Sequence, residues 1–299
     1  MKRTPIALAV AIASLSSMAS AQVLEELVVT AQKKAENLMS APVAVSLISN
    51  DEMLDMAVFQ ADELNKMISG MEIRFEGDSN SGVGLRGVGT FSQQSAPSRV
   101  GTYMDDYYMA SQASFAFASM YDMKSVQVLK GPQGTLYGQP SPTGALVMES
   151  ADPNYDGVNG HIRGSYQDPK GYNLQGAVNL PIIDGTLAAR IAFVTDDRET
   201  GTENPVRGLD EARNRKGIRA KLLWEPTENF TAKLGVHYME TDQSDTYRIL
   251  ETIDNDTANF NDLEAKDRIA IADARDEVLK REDTFVNLKL NWSTDFMDI

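Results

Sequence analysis

The stretch VLKGPQGTLYG, Val128 to Gly138, decides how this chain is read. It follows an alternating apolar segment and packs Gly131, Pro132, Gly134 and Gly138 close together. Two physical readings are open. Glycine-rich backbone can cradle a phosphate with its N–H groups. It can equally let a strand turn where side chains do not fit. The run lacks the lysine and following Ser/Thr of a P-loop, which favours the turn.

Composition narrows the rest. The 299 residues carry 28 Lys and Arg against 43 Asp and Glu, a formal charge of −15. Nucleic-acid binding needs a basic footprint, so no nucleic-acid partner is expected. Cysteine is absent, which excludes a disulfide framework, a thiolate metal site and a cysteine nucleophile. His161 and His237 are the only imidazoles, so no metal site is predicted. No catalytic constellation is present, and neither an enzyme nor a cofactor is expected.

The N-terminus reads as a secretory signal peptide over residues 1–21. Lys2 and Arg3 precede an apolar run from Ile6 to Leu15, and Ala19-Ser20-Ala21 supplies the cleavage pattern. The apolar run is too short to span about 30 Å of hydrocarbon. No later segment is apolar enough for a transmembrane helix, so membrane embedding would require a β-barrel. Next, LVVT (Leu27 to Thr30) is strand-prone amid polar residues. Near a terminus it is a frayed strand or linker, or a peptide offered to a partner by strand addition.

Residues 42–153 read as one mixed α/β domain. PVAVSLIS predicts a strand, and Ser49 with Glu52 a capping box opening a short helix. ADELNKMISG predicts a second helix with Gly70 at C′. MEIRF predicts a strand before the glycine-rich GLRGVGT. VGTYMDDYYM predicts a hairpin turning at Asp105-Asp106, because Asp tolerates left-handed backbone. MKSVQVLK predicts a strand with Val126 and Val128 on one side and Ser125 and Gln127 on the other.

From 154 to 299 the text changes to six alternating segments: NGHIRGSYQ, YNLQGAVNL, TLAARIAFV, GIRAKLLW, FTAKLGVHY and FVNLKLNW. One face is apolar and ends in aromatics. The other carries Arg190, Arg219, Lys221, Lys233, His237 and Lys289, with His237 predicted to be solvated in the lumen. A sandwich in water also alternates, but a continuous apolar face opposite long basic side chains suits a lipid-facing barrel with a wet interior. Tight turns at PIIDGT and EPTEN alternate with long polar stretches at about 195–216 and 241–283, the second with a surface helix in AKDRIAIADARDEVLKRED. Short periplasmic turns and long extracellular loops give that rhythm.

Taken in order, these motifs resemble the N-terminal part of a TonB-dependent outer-membrane receptor. EELVVTAQKK resembles the TonB box and its linker, at residues 22–41. VGLRGVGT resembles the plug's IRG motif, VGTYMDDYYM its hairpin, and YDMKSVQVLKGPQGTLYGQPSPTGALVMES its signature. The resemblance implies an α+β plug followed by the first strands of an antiparallel transmembrane β-barrel of 22 strands. It implies active transport of a scarce nutrient, most often a ferric siderophore, energised by TonB with its ExbB–ExbD complex. It places the protein in outer-membrane lipid, with plug and box facing the periplasm. It assigns TonB contact to Glu26, Leu27, Val28, Val29 and Thr30. Structural roles in the plug fall to Arg86, Gly87, Gly131, Pro132, Gly134, Tyr137, Gly138 and Gly144. Arg86 is expected as a buried, carboxylate-paired arginine. Tyr103, Tyr107 and Tyr108, on a hairpin the family places toward the outer face, are candidates for substrate contact.

The sequence departs from the family pattern in places. The signature's acidic and basic residues are replaced by Lys124-Ser125-Val126-Gln127, so the seating of plug on barrel is expected to be weaker or paired differently. Asp106 stands where the hairpin carries glycine, and Gln139-Pro140-Ser141-Pro142-Thr143-Gly144 keeps only the second glycine of its counterpart. Six strands are too few to close around a plug, and an open edge in lipid is costly. The expectation is a truncated or partial receptor. The alternatives are an outer-membrane structural or adhesive barrel without transport, or a non-functional fragment.

Overall fold

The computed structural model describes residues 28–29, 36–37, 44–74, 82–89, 98–110, 115, 118–134, 141–168, 170–204, 209–244, 278–294 and 297–298. The expected signal peptide lies outside them, as do Glu26, Leu27, Thr30, Tyr137 and Gly138. So does the part of the expected surface helix before residue 278. Val28–Val29 (β1) pairs antiparallel with Glu36–Asn37 (β2), Val28 opposite Asn37 and Val29 opposite Glu36.

The capping box forms as predicted. Between β3 (Ala44–Ser49) and α1 (Asn50–Asp55), the Ser49 Oγ accepts from the Glu52 N–H at 3.3 Å and the Glu52 carboxylate accepts from the Ser49 N–H at 2.8 Å. The second predicted helix is a short 3-10 helix, Ala61–Lys66, and Gly70 is not its C′ residue. Asn65 bonds the Ile73 N–H and C=O, both at 2.7 Å, and draws the chain into β4 (Met71–Arg74) before an α-turn can close. Gly70 serves that strand entry instead, at φ +75.

Two hairpins follow, each turning on paired left-handed residues, the geometry that matches strand twist. Arg86 (φ +53) and Gly87 (φ +77) join β5 (Gly82–Leu85) to β6 (Val88–Gly89). Asp105 (φ +47) and Asp106 (φ +67) join β7 (Val100–Met104) to β8 (Tyr107–Tyr108), as the sequence predicted. β9 (Met123–Lys130) and β10 (Gly144–Ser150) complete a five-stranded sheet in the order β3-β9-β10-β7-β8, parallel only between β10 and β7. β9 keeps the predicted alternation, with Val126 and Val128 in the core and Ser125 and Gln127 on the other side. Both sides of the strand are nevertheless covered: Gln127 and Ser125 are buried as well, and the Gln127 amide reaches the Ser125 hydroxyl at 3.4 Å. The apolar core gathers Ile48, Met53, Leu64, Val83, Val126 and Met148 beneath this sheet.

After β10 the chain enters an antiparallel sheet in which each strand pairs with the next. Its strands are β11 (Asn159–Gln167), β12 (Gly171–Ile183), β13 (Leu187–Asn204), β14 (Leu209–Thr227), β15 (Phe230–Ser244) and β16 (Val278–Thr294), with a short β17 (Met297–Asp298). All six predicted segments are strands, in an open sheet. The outward face exposes Leu174, Phe193, Ile218, Leu234, Val236, Leu288 and Leu290. An aromatic row, Trp224, Phe230 and Trp292, closes it at the short-turn end, with Trp224 edge-on to Phe230 at 5.7 Å. Phe193, Ile218 and Tyr238 form the opposite row. Phe230 to Tyr238 covers roughly 27 Å of strand, about 20 Å of height at a barrel tilt of ~40°, close to the apolar band of an outer-membrane barrel. No helix among the described residues is long and apolar enough to cross a membrane.

The long loops are shorter than predicted. Residues 195–204 and 209–216 continue β13 and β14, and 278–283, expected at the end of a helix, begin β16. Across β13 and β14 the acidic Asp196 and Asp197 stand opposite Arg215 and Asn214, so a polar ladder carries the hairpin past the apolar band. Opposite charges across strands support such pairing; a reading based on apolar alternation does not see it.

Candidate functional site

The site is the seam where the N-terminal domain rests on the inward face of the sheet. Alternation along β12 to β16 turns Asn173, Gln175, Arg190, Arg198, Arg219, Lys221, Lys233, His237, Asn287 and Lys289 inward, because the opposite parity is apolar. The domain answers with carboxylates from its turns. Asp122, at φ +48 before β9, receives a two-pronged contact from Arg190, with Nε to Oδ2 at 2.8 Å. Glu63 of the 3-10 helix accepts from Arg198 at 3.1 Å, and Gln60 donates to Asp196 at 2.9 Å. Asp152 accepts from Lys221 at 3.1 Å and from Lys233 at 2.6 Å.

Asp105 is the centre of the seam. Its carboxylate accepts from the Ser150 N–H at 2.8 Å and hydroxyl at 2.6 Å, which ties the hairpin turn to the end of β10. Lys221 Nζ stands 3.1 Å and His237 Nε2 3.2 Å from the same carboxylate. Arg219 donates through Nε to His237 Nδ1 at 3.0 Å, so the neutral ring carries its proton on Nε2, facing Asp105. Burial alone would raise the Asp105 carboxyl. The His237 hydrogen bond and the Lys221 and Arg219 charges outweigh burial and hold it below the usual carboxylate range. Asp152 is likewise lowered, with burial outweighed by Lys221 and Lys233. His237 is thus not solvated, as expected from sequence, but packed. Phe285 stacks on it at 4.1 Å, and Tyr107 stacks on Phe285 at 4.7 Å.

Tyr121 fills a socket of small and branched residues, Ala177, Ala192 and Val194, with the Arg219 guanidinium 4.4 Å from its ring centroid. Burial, reinforced by Asp122 against the opposing Arg219, raises its hydroxyl pKa. Among the described residues no cluster of His, Asp and Glu could hold a metal ion. The arrangement holds a domain in place through opposed charges.

The structure scatters the residues singled out from sequence. Arg86 is exposed at a hairpin tip, with no ion pair among the described residues, so the buried-arginine expectation is overturned; its left-handed backbone points the side chain out of the core. Gly131 (φ +124) starts the turn after β9, and Pro132 and Gly134 are exposed there. The Gly131 and Gln133 N–H groups donate to Thr143 and Ser141 carbonyls at 3.0 and 3.1 Å, so they are committed and cradle no phosphate. Gly144 opens β10 where a Cβ would lie 2.3 Å from the Leu129 carbonyl oxygen. Tyr103 is buried 5.3 Å from the Tyr108 ring, while Tyr107 leans on the barrel wall. The Asp105–Asp106 turn sits at mid-height of the apolar band, level with Lys221 and Lys289, and not toward one end. Sequence reasoning missed Asp105, Asp122 and Asp152 as anchors. The signal was available: a lumen face predicted to be basic requires carboxylates opposite it.

A domain seated by ion pairs on the inward face of antiparallel strands, whose outward face is apolar, is the arrangement of a plug against a barrel wall. Residues 37–145 match the family model for the TonB-dependent Receptor Plug Domain. The chain is similar to the pesticin receptor of Yersinia pestis, 29% identical over 214 residues that cover 70% of this chain and 31% of that protein. It is also similar to the ferrioxamine receptor of Yersinia enterocolitica, 25% identical over 224 residues, 73% of this chain and 29% of that protein. In fold it resembles the ferric yersiniabactin uptake receptor FyuA from Yersinia pestis, with a TM-score of 0.70 at 24% identity over 85% of this chain and 39% of that one. The ferripyoverdine receptor of the outer membrane of Pseudomonas aeruginosa superposes with a TM-score of 0.67 at 14% identity, over 89% and 34% of the two chains. The chain spans about a third of the length of the curated relatives it matches. In sequence and fold it is similar to the N-terminal part of TonB-dependent receptors.

Proposed function

We propose that this chain provides the plug and first barrel strands of a receptor that imports a ferric siderophore across the bacterial outer membrane, energised by TonB and its ExbB–ExbD complex. One observation carries the reading. The plug has an apolar core of its own, and apart from the Tyr121 socket and the Tyr107–Phe285 stack it meets the wall through salt bridges and hydrogen bonds. A buried ion pair gives back little more than its desolvation costs, so such a seam holds position without fusing the two parts. A pull on the N-terminal segment can then shift the plug while the strands stay folded. The segment around Val28 and Val29 is the handle, offered to TonB as an added strand. The short turns face the periplasm and the extended β13–β14 hairpin faces outward, following the usual asymmetry of these barrels. Uptake of radioiron by cells expressing the receptor, across a panel of iron-loaded siderophores with and without a functional TonB, tests this. Import that is iron-siderophore-specific and TonB-dependent is expected. Undiminished uptake without TonB rejects it.

A further inference from the structure

We propose that Lys221, Lys233 and Lys289 form a binding site for a multiply anionic, oxygen-rich chelate, masked at rest by plug carboxylates; the purpose given to that ligand rests on the transport reading. The three lysines come from adjacent strands of the inward wall. Lys233 and Lys289 stand directly opposite each other in the β15–β16 ladder, and Lys221 stands opposite Gly235, whose other neighbour is Asn287. Like charges placed directly across strands destabilise a sheet, so this arrangement needs anions in front of it. At rest the plug supplies them. Asp105 and Asp152 take Lys221, each at 3.1 Å, Asp152 also takes Lys233 at 2.6 Å, and Asp106 takes Lys289 at 2.7 Å.

Space accompanies the charge. A cavity of about 170 Å³ lies between these lysines and β10, and Asp106 and Lys289 are about half exposed at its edge (44% and 50%). Gly235 leaves the floor low, since a Cβ there would lie 2.1 Å from the Asn287 side-chain oxygen. When the plug shifts, its carboxylates leave and three ammonium groups face the opened space without a counter-charge between them. A ligand bearing several carboxylate-type oxygens meets the same spacing that the plug carboxylates satisfy. The plug carboxylates and the ligand thus compete for one wall, which hands the ligand onward at mid-height of the barrel.

Citrate is a suitable probe. The chain is refolded in detergent micelles and citrate binding is measured by titration calorimetry at low ionic strength, for wild type, D106N/D152N, and D106N/D152N with K233Q/K289Q. Charge-assisted hydrogen bonds contribute enough that each lysine freed or lost should change affinity about tenfold. The unmasked double variant should therefore bind citrate at least about tenfold more tightly than wild type, and the added lysine replacements should abolish the gain. If unmasking brings no gain, or the gain survives without Lys233 and Lys289, the proposal is overturned. Should D106N/D152N not fold, the single variants D106N and D152N decide: if neither binds citrate more tightly than wild type, the proposal is overturned. Citrate binding by the lysines in a receptor that imports no siderophore would reject the transport reading and leave the site standing.

Discussion

The Asp105 carboxylate joins a left-handed turn, the end of β10 and two groups of the barrel wall. Its folded pKa lies below the unfolded value of about 3.9. Its contribution to seating is therefore complete above that pH and is lost as pH falls below it toward the folded value. Hydrogen exchange over residues 100–108 should stay protected at pH 5 and rise on acidification below about 4. D105N keeps a residue that tolerates positive φ and removes only the charge. It should loosen the hairpin at neutral pH by about 1–3 kcal/mol, read from the same exchange. Protection equal to wild type would show that the hairpin is held by other contacts. At Arg190, replacement by alanine leaves Asp122 buried without its partner and should cost about 3–5 kcal/mol of seating. R190K keeps the charge but loses the fork, and should recover only part of it. The basic wall read from sequence called for carboxylates opposite it, but which acids would answer was not legible, because a carboxylate in a turn reads as turn chemistry until the fold places it. The altered Lys124-Ser125-Val126-Gln127 run is resolved similarly. Lys124 pairs with Glu149 within the plug at 3.5 Å, and the grip on the wall falls to Asp105, Asp122 and Asp152.

At the scale of elements, β1 and the β9–β10 turn give the sharpest tests. Strand addition depends on backbone donors, so V29P, which removes an N–H, should weaken binding of the 22–41 segment to the periplasmic domain of TonB by tenfold or more. Unchanged affinity in a pull-down or titration would show that another register is used. G144A brings a Cβ onto the Leu129 carbonyl oxygen and should destabilise the plug by about 2 kcal/mol or more, read as a lowered denaturation midpoint. A neutral result would mean that β10 can shift. Elements with one dominant cause were readable: the Ser49 box, the Asp105–Asp106 turn, and the alternation of β12 to β16. Elements decided by tertiary partners were not. The 3-10 helix follows from Asn65 reaching Ile73, and the burial of Ser125 and Gln127 depends on what the fold packs over that side of β9.

On the scale of the whole molecule, the apolar core of the plug and the charged seam should respond differently to denaturant. Urea should unseat the plug at a lower concentration than unfolds it, giving separate transitions for exchange at the seam and for loss of plug secondary structure. A single coincident transition would count against a detachable plug. The β13–β14 hairpin has a consequence of another kind. Residues 195–204 continue as strand beyond the Phe193 row, roughly 30 Å along the chain, stiffened by pairing where a loop was expected. It makes a paired extension past the apolar band, so a macromolecule that binds there meets a ladder already ordered and not a loop that must first lose its freedom.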